Sequence, residues 1–305
     1  MPEGDTVYRA AKRLAAALCG QQLTRGELRH PRLAGYDLSG RAIVRVHSVG
    51  KHLFIRFDDD RSLHTHFLMD GAWHLYRPGQ RWRRPAHQAR AVLASDDYVA
   101  VGFCLHEMAL LATANEHQMV HHLGPDLLKP GWGEQDVSQV VQRLRSQPDT
   151  ELGLALLDQR VMAGIGNVYK AEICFLLGVS PWIAVREVNP QTVVQVARRL
   201  LLANVTRPTR STTGQLAHGR RYWVYERAGQ PCHRCATLVL HAGQGGGVQA
   251  RFSYYCPRAL VANMAQLLTR SLGERFTRPP PRELSTQWCG SLLPVRPGYQ
   301  ARSAQ

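Results

Sequence analysis

No stretch of the 305-residue chain approaches the roughly 18 consecutive apolar residues of a membrane span. The N-terminus also lacks the basic-then-apolar layout of a secretory signal, so a soluble, cytoplasmic protein is expected. Seven cysteines, an odd number without framework spacing, argue against a disulfide scaffold and for a reducing compartment. No internal repeat is present, which removes solenoid and propeller architectures. Acidic residues are scarce: 23 Asp and Glu stand against 38 Lys and Arg, a formal net charge of +15. Such an imbalance favours a polyanionic partner, whether nucleic acid, an anionic membrane surface or an acidic polymer.

The length suits two domains and a sizeable core. Apolar residues at Val7, Ala11, Leu14 and Leu18 predict a leading helix, with Asp5 or Thr6 as its N-cap and Gly20 just past its end. Short apolar runs at Ile43–Val46, Leu53–Phe57, Leu63–Phe67, Ala91–Leu93 and Tyr98–Phe103 alternate with turn-prone Asp clusters and read as a β-sandwich over about 22–104. Beyond Leu123-Gly124-Pro125-Asp126 helical periodicity takes over, at Val137, Val140, Val141 and Leu144 and then from Leu152 to Arg210. A β-prone segment carrying Cys232, Cys235 and Cys256 follows. From Arg270 to Gln305 the chain holds six Arg and two Glu, a basic, Pro-rich tail with little capacity to pack. The fold class is therefore α+β and multidomain: 1–124 a β-sandwich with its leading helix, 125–222 helical, 223–260 the β-prone cysteine segment, 261–305 a tail.

Chemistry is concentrated at a few points. If the initiator Met is clipped from Met1-Pro2-Glu3-Gly4, Pro2 becomes a secondary amine able to attack an aldehydic carbon and hold it as an iminium, beside the carboxylate of Glu3. An α-amino group titrates near 7.7–8.0, so part of it is neutral at pH 7. The plainer reading is a helix entry in which both residues only cap. Lys51 opens a strand after Gly50; most such lysines are solvated, but iminium chemistry needs a second proton carrier and Lys51 lies on the same domain. Gly164-Ile165-Gly166-Asn167 reads as a tight turn between two helices with Asn167 as N-cap, and exposed N–H groups at a helix start suit a phosphate, although such a turn can be a plain packing unit. Cys232-x2-Cys235 with Cys256 supplies three thiolates of a tetrahedral zinc site, but Ala259 stands where a fourth cysteine would complete it. His233, His241 or the distant Cys289 would have to supply the fourth ligand; otherwise the segment is metal-free. His64 and His66 alternate on a strand and are explained by a sheet face more simply than by a metal. Cys104 and Cys174 read as core residues.

Taken together, these N-terminal residues, Gly50-Lys51, the glycine turn and the cysteine segment resemble the formamidopyrimidine-DNA glycosylase and endonuclease VIII family, from residue 1 to about 258 in the family's order. Gly4-Asp5-Thr6 resembles the endonuclease VIII branch, particularly its actinobacterial members. The resemblance implies a helix-two-turn-helix domain, a β-hairpin zinc finger, damaged DNA as partner and a monomeric enzyme working at the bacterial nucleoid. It implies Pro2 as Schiff-base nucleophile, Glu3 as proton shuttle, Lys51 in β-elimination and Arg251 on the phosphate in δ-elimination. Asn167 would hold a backbone phosphate, His122 falls where related enzymes place an arginine that contacts DNA, and Leu68 and Met69 would fill the gap left by an extruded base. The implied activity is excision of oxidised bases, pyrimidines foremost, with cleavage of the abasic strand. Thr6, where an acidic residue is often found, and Ala259 depart from the pattern. A binding-only module for damaged or single-stranded DNA, with its finger lost, is the competing reading. A basic RNA-associated protein would explain the charge but not the N-terminus.

Overall fold

The computed structural model describes residues 2–246 and 250–258. Ala259, Cys289 and the tail at 261–305 lie outside the described residues.

Helix α1 (Gly4–Leu18) buries Val7, Ala11, Leu14 and Leu18, the stripe that its sequence spacing draws. It ends where Cys19 turns extended and Gly20 adopts φ +78°. Its N-cap is Glu3 and neither Asp5 nor Thr6. The reason lies in the side chains: Asp5 is committed to Arg210, and Glu3 reaches into a different helix.

Two four-stranded antiparallel sheets follow. With β1 (Arg25–Leu28), β2 (Ile43–Val49), β3 (His52–Phe57), β4 (Arg61–His66), β5 (Ala72–Tyr76), β6 (Ala89–Ala94), β7 (Val99–Phe103) and β8 (Glu107–Ala112), the orders are β1-β6-β7-β5 and β2-β3-β4-β8. Period two sorts the faces. Leu53, Ile55 and Phe57 of β3 join Leu63, Ala91, Leu93 and Trp73 in one core, while His52 and Arg56 point to the other face. Fully burying each Leu or Ile contributes about 1.5–3 kcal/mol. Strands β1, β5 and β8 were not anticipated. In β8 the residues Glu107-Met108-Ala109-Leu110-Leu111-Ala112 have helical propensity, but pairing with β4 from Arg61↔Ala112 to His66↔Glu107 overrides it.

A short α2 (Glu116–Val120) leads to α3 (Glu134–Arg145), α4 (Leu152–Leu157), α5 (Asn167–Leu177) and α6 (Pro190–Leu202). The helical stretch expected from Leu152 to Arg210 is thus three helices and ends at Leu202. These helices share a second core around Leu144, Leu156, Tyr169, Ile173, Val193 and Leu201. Helix α5 is buried on every side, as a helix without a polar face must be. Finally, β9 (Leu240–Gln244) and β10 (Arg251–Tyr255) form an antiparallel hairpin. It is fixed to the helices by Gln244, whose amide donates to Glu151 Oε2 at 2.9 Å and to the Pro181 carbonyl at 2.7 Å.

Candidate active site where the N-terminus meets the glycine turn

The carboxylate of Glu3 is fully buried and caps a helix 160 residues away in sequence. Its Oε2 accepts from the N–H of Gly166 at 2.8 Å and of Tyr169 at 3.3 Å, and its Oε1 from Val168 at 2.7 Å. These are N-terminal donors that helix α5 cannot satisfy itself, and the helix dipole favours an anion there. Gly166, which has no side chain, is accordingly the N-cap of α5, and Asn167 is its first helical residue instead of its cap. Two glycines make the approach possible: a Cβ on Gly166 would lie 2.6 Å from Glu3 Cδ, and one on Gly4 would lie 2.9 Å from Gly164 Cα. The Gly4 N–H also donates to the Gly164 carbonyl at 2.8 Å, and Gly164 sits at φ +109°. Pro2, half-buried, is thereby held beside the turn.

Around this junction lie groups whose partners come from far along the chain. Asp5 is fully buried and paired with Arg210, whose Nε and Nη2 donate to its two oxygens at 2.9 and 2.6 Å; Arg210 Nη2 also donates to Thr6 Oγ1 at 2.7 Å. Gly50, at φ +57°, donates its N–H to Asp126 Oδ2 at 2.9 Å, and burial raises the Asp126 pKa against that bond and the one from Leu128. Lys51 follows directly. Burial lowers its pKa from 10.5, opposed by Glu3 and assisted by Arg210, so its amine gives up a proton more readily than a solvated lysine's. A neutral amine is what a general base requires.

Asn167 and Arg251 are brought together. Asn167 Nδ2 donates at 3.0 Å to the carbonyl of Phe252, the residue after Arg251, while its buried Oδ1 has no partner among the described residues; the Arg251 side chain is exposed. One helical turn on, Lys170 is fully buried with no hydrogen-bond partner for Nζ among the described residues, and its pKa is lowered to about 8, first by burial, with Arg251 adding to the effect and Cys174 and Glu3 opposing it. Sequence reasoning missed Lys170, although lysine is rare here: four of the 38 basic residues. It also missed Asp5, Arg210 and Asp126, whose roles depend on partners no local pattern marks.

Leu68 and Met69 occupy the Phe67–Gly71 turn after β4. Met69 is 63% exposed at its tip, and Leu68 is half-buried at φ +50°. His122 is exposed, its ring 6.3 Å from that of His52. His64 and His66 do share a sheet face: the His64 ring stacks on that of His52 at 5.1 Å, and the His66 ring lies tilted against it at 5.0 Å. Cys174 is buried as expected, but Cys104 is half-buried at φ +50°, its Sγ 3.7 Å from Arg84 Nη1.

The sulfurs of Cys232, Cys235 and Cys256 lie within 4.8 Å of one another. Burial raises the Cys235 pKa, but hydrogen bonds from Thr237 and the other two sulfurs outweigh it and bring the thiol down to about 7. Three clustered thiols, one of them easily ionised, fit a soft divalent metal. Among the described residues, neither His233 nor His241 joins that cluster; His241 stacks on Tyr254 and meets Phe252 edge-on.

Residues 1–104 match the formamidopyrimidine-DNA glycosylase N-terminal domain, and residues 123–213 match the H2TH domain of the same enzyme. The chain is 49% identical over 261 residues to a probable endonuclease 8 2 of Streptomyces coelicolor, spanning 84% of this chain and 93% of the relative. It is 45% identical over 264 residues to the DNA-(apurinic or apyrimidinic site) lyase Nei2 of Mycolicibacterium smegmatis, spanning 86% of this chain and all of that protein (100%). In fold it is similar to the Lactococcus lactis formamidopyrimidine-DNA glycosylase bound to an AP-site DNA, with a TM-score of 0.68 at 18% identity over 85% of this chain and 100% of that one.

Proposed function

Because the chain belongs to the formamidopyrimidine-DNA glycosylase and endonuclease VIII family, we propose that it is a bifunctional DNA glycosylase and AP lyase of base excision repair, acting on oxidised bases, pyrimidines foremost. The observation that supports this reading is the fixing of Glu3, the residue after Pro2, by three N–H groups at the start of α5 beside the glycine turn. A helix entry that merely capped itself would not need a carboxylate buried in another helix.

With Met1 removed, the Pro2 nitrogen attacks C1′ of the damaged nucleotide. The glycosidic bond breaks, the base leaves with its electron pair, and Glu3 relays protons to the opening sugar. The resulting iminium withdraws electrons, which acidifies the C2′ proton. Lys51 takes that proton, and the C3′–O bond breaks to release the phosphate. A second elimination breaks the C5′–O bond, with Arg251 and Asn167 holding phosphate; guanidinium binds it as a fork. Water then hydrolyses the iminium and frees Pro2. A base stacked in a duplex is out of reach of this chemistry, so it must be extruded, and Leu68 and Met69 would fill the gap with His122 on the backbone. DNA would lie between the parts at 1–124 and 125–222, with the hairpin of 223–260 closing on it. Cys232, Cys235 and Cys256 would hold a structural zinc that braces the hairpin carrying Arg251.

Borohydride reduction with an abasic duplex tests the reading. The mature protein should be joined covalently to DNA through Pro2, and protein retaining Met1, or the Pro2→Gly variant, should lose at least most of that product. Binding without trapping by the mature protein would identify a recognition module instead.

A further inference from the structure

The Phe67–Gly71 turn is held in an unfavourable shape. A non-glycine residue at φ +50°, as Leu68 is, carries strain that its surroundings must offset. Three contacts do so. Phe67 is buried and its carbonyl accepts from the Gly71 N–H at 2.8 Å; Arg84 Nη1 donates to the Asp70 carbonyl at 2.9 Å; and the Leu68 N–H donates to His66 Nδ1 at 3.2 Å. The last bond needs an unprotonated Nδ1, hence a neutral ring with its proton on Nε2.

We propose that His66 is a positioning residue for base extrusion: its Nδ1 holds the Leu68 backbone in the conformation that points Leu68 and Met69 into the duplex, and the stacked rings of His52 and His64 hold His66. The proposal rests on the repair-enzyme reading above. Support from behind is continuous, because His52 lies 5.0 Å from His66 and its Nδ1 shares a hydrogen bond of 2.9 Å with Nε2 of the buried His64.

Two charged groups face His66 besides these rings: Lys51, and Glu107 on the paired strand β8, whose Oε2 is 3.7 Å from Nδ1; His122 faces the array through His52. The Glu107 contact and the Leu68 bond exclude each other. A proton on Nδ1 turns that nitrogen into a donor toward Glu107 and ends its role as acceptor for Leu68. Burial lowers the His66 pKa from 6.5, opposed by Glu107 and assisted by Lys51. The anchor is therefore intact at neutral pH and is lost as pH falls through that lowered value.

The test uses the full mature chain, with His66→Phe and His66→Asn. Asparagine can accept from the N–H two residues on, as in an Asx turn, whereas phenylalanine keeps a ring against His52 and loses the acceptor. Borohydride trapping is measured on an abasic site in duplex and in single-stranded DNA, with 2-aminopurine opposite the site reporting unstacking. His66→Phe should lose about three- to tenfold in duplex trapping, the worth of one hydrogen bond, with a matching fall in fluorescence and unchanged trapping on the single strand. His66→Asn should restore both. The duplex-to-single-strand ratio of the parent should fall on acidification and that of His66→Asn should not. An unchanged ratio in His66→Phe, an equal loss on both substrates, or an Asn variant as impaired as the Phe variant overturns the proposal. A parent that traps neither substrate overturns the enzyme reading itself.

Discussion

Alanine at position 166 isolates the contact on which the candidate site depends. Gly166 has φ −128° and ψ −160°, which alanine adopts without strain, so any effect is steric. The added Cβ would lie 2.6 Å from Glu3 Cδ and 2.7 Å from both Cγ and Oε1. Ordinary contact begins near 3.5 Å, so the carboxylate must retreat by about 0.8–1 Å. That movement stretches bonds of 2.7 and 2.8 Å beyond useful range. Overpacking of this kind costs about 1–3 kcal/mol, and each kcal/mol lowers the Tm of a chain this size by about 2–4 °C. A misplacement of about 1 Å at a reacting centre can slow turnover by about 10²-fold. Single-turnover cleavage of an abasic duplex should therefore fall by about that factor. Gly35→Ala is the control: a Cβ there meets nothing within 4 Å. If Gly166→Ala cleaves at the parent rate and melts at the parent temperature, Glu3 is not held by this turn and the mechanism loses its anchor.

Two further outcomes follow from the same geometry. Asp5→Asn should cost about 3–5 kcal/mol in urea denaturation, because it leaves the buried Arg210 guanidinium without its counter-charge, whereas Asp5→Leu with Arg210→Met should recover much of that loss. Metal analysis of the purified protein should find bound zinc that a chelator removes. The stripped protein, or Cys256→Ser, should give β-elimination product at near-parent rate but less δ-elimination product, since the hairpin carrying Arg251 loses its brace.

Much of this was legible in the chain because it obeys local rules. The α1 stripe, the alternating strands and the glycine turn each carry their own period or turn chemistry. What was not legible depends on long-range partners. Asn167 has the sequence signature of an N-cap, yet its amide is spent on the Phe252 carbonyl and the cap is supplied by Glu3. His64 and His66 show as a shared strand face, but their joining with His52 requires the β3–β4 register that sets His52 opposite His66 and Phe54 opposite His64. Strand β8 has a helix-former's composition, and only its β4 partner decides it. Glu172, fully buried on α5, receives the N–H groups of Trp223, Val224 and Tyr225 at 2.8, 2.9 and 2.9 Å and so leads the chain out toward the cysteine hairpin. Nothing around position 172 announces that.

The same bonds that place the chemistry also join the β-sandwich segment to the helical one. Glu3 to α5, Gly4 to Gly164, Gly50 to Asp126 and Asp5 to Arg210 each cross between the two cores, and Glu3, Asp5 and Asp126 are buried. Buried polar groups lose heavily when a partner is withdrawn, so these four contacts are expensive to separate. Adjustment to a bent or extruded substrate must then come from elements outside this knot. The Phe67–Gly71 turn and the β9–β10 hairpin lie outside it, and each presents an exposed apolar side chain, Met69 at 63% and Phe252 at 57%. Substitutions within the knot should consequently lower stability and turnover together, and substitutions at the two exposed elements should change DNA handling with stability nearly constant. Gly166→Ala against His66→Phe is the pair that separates the two behaviours.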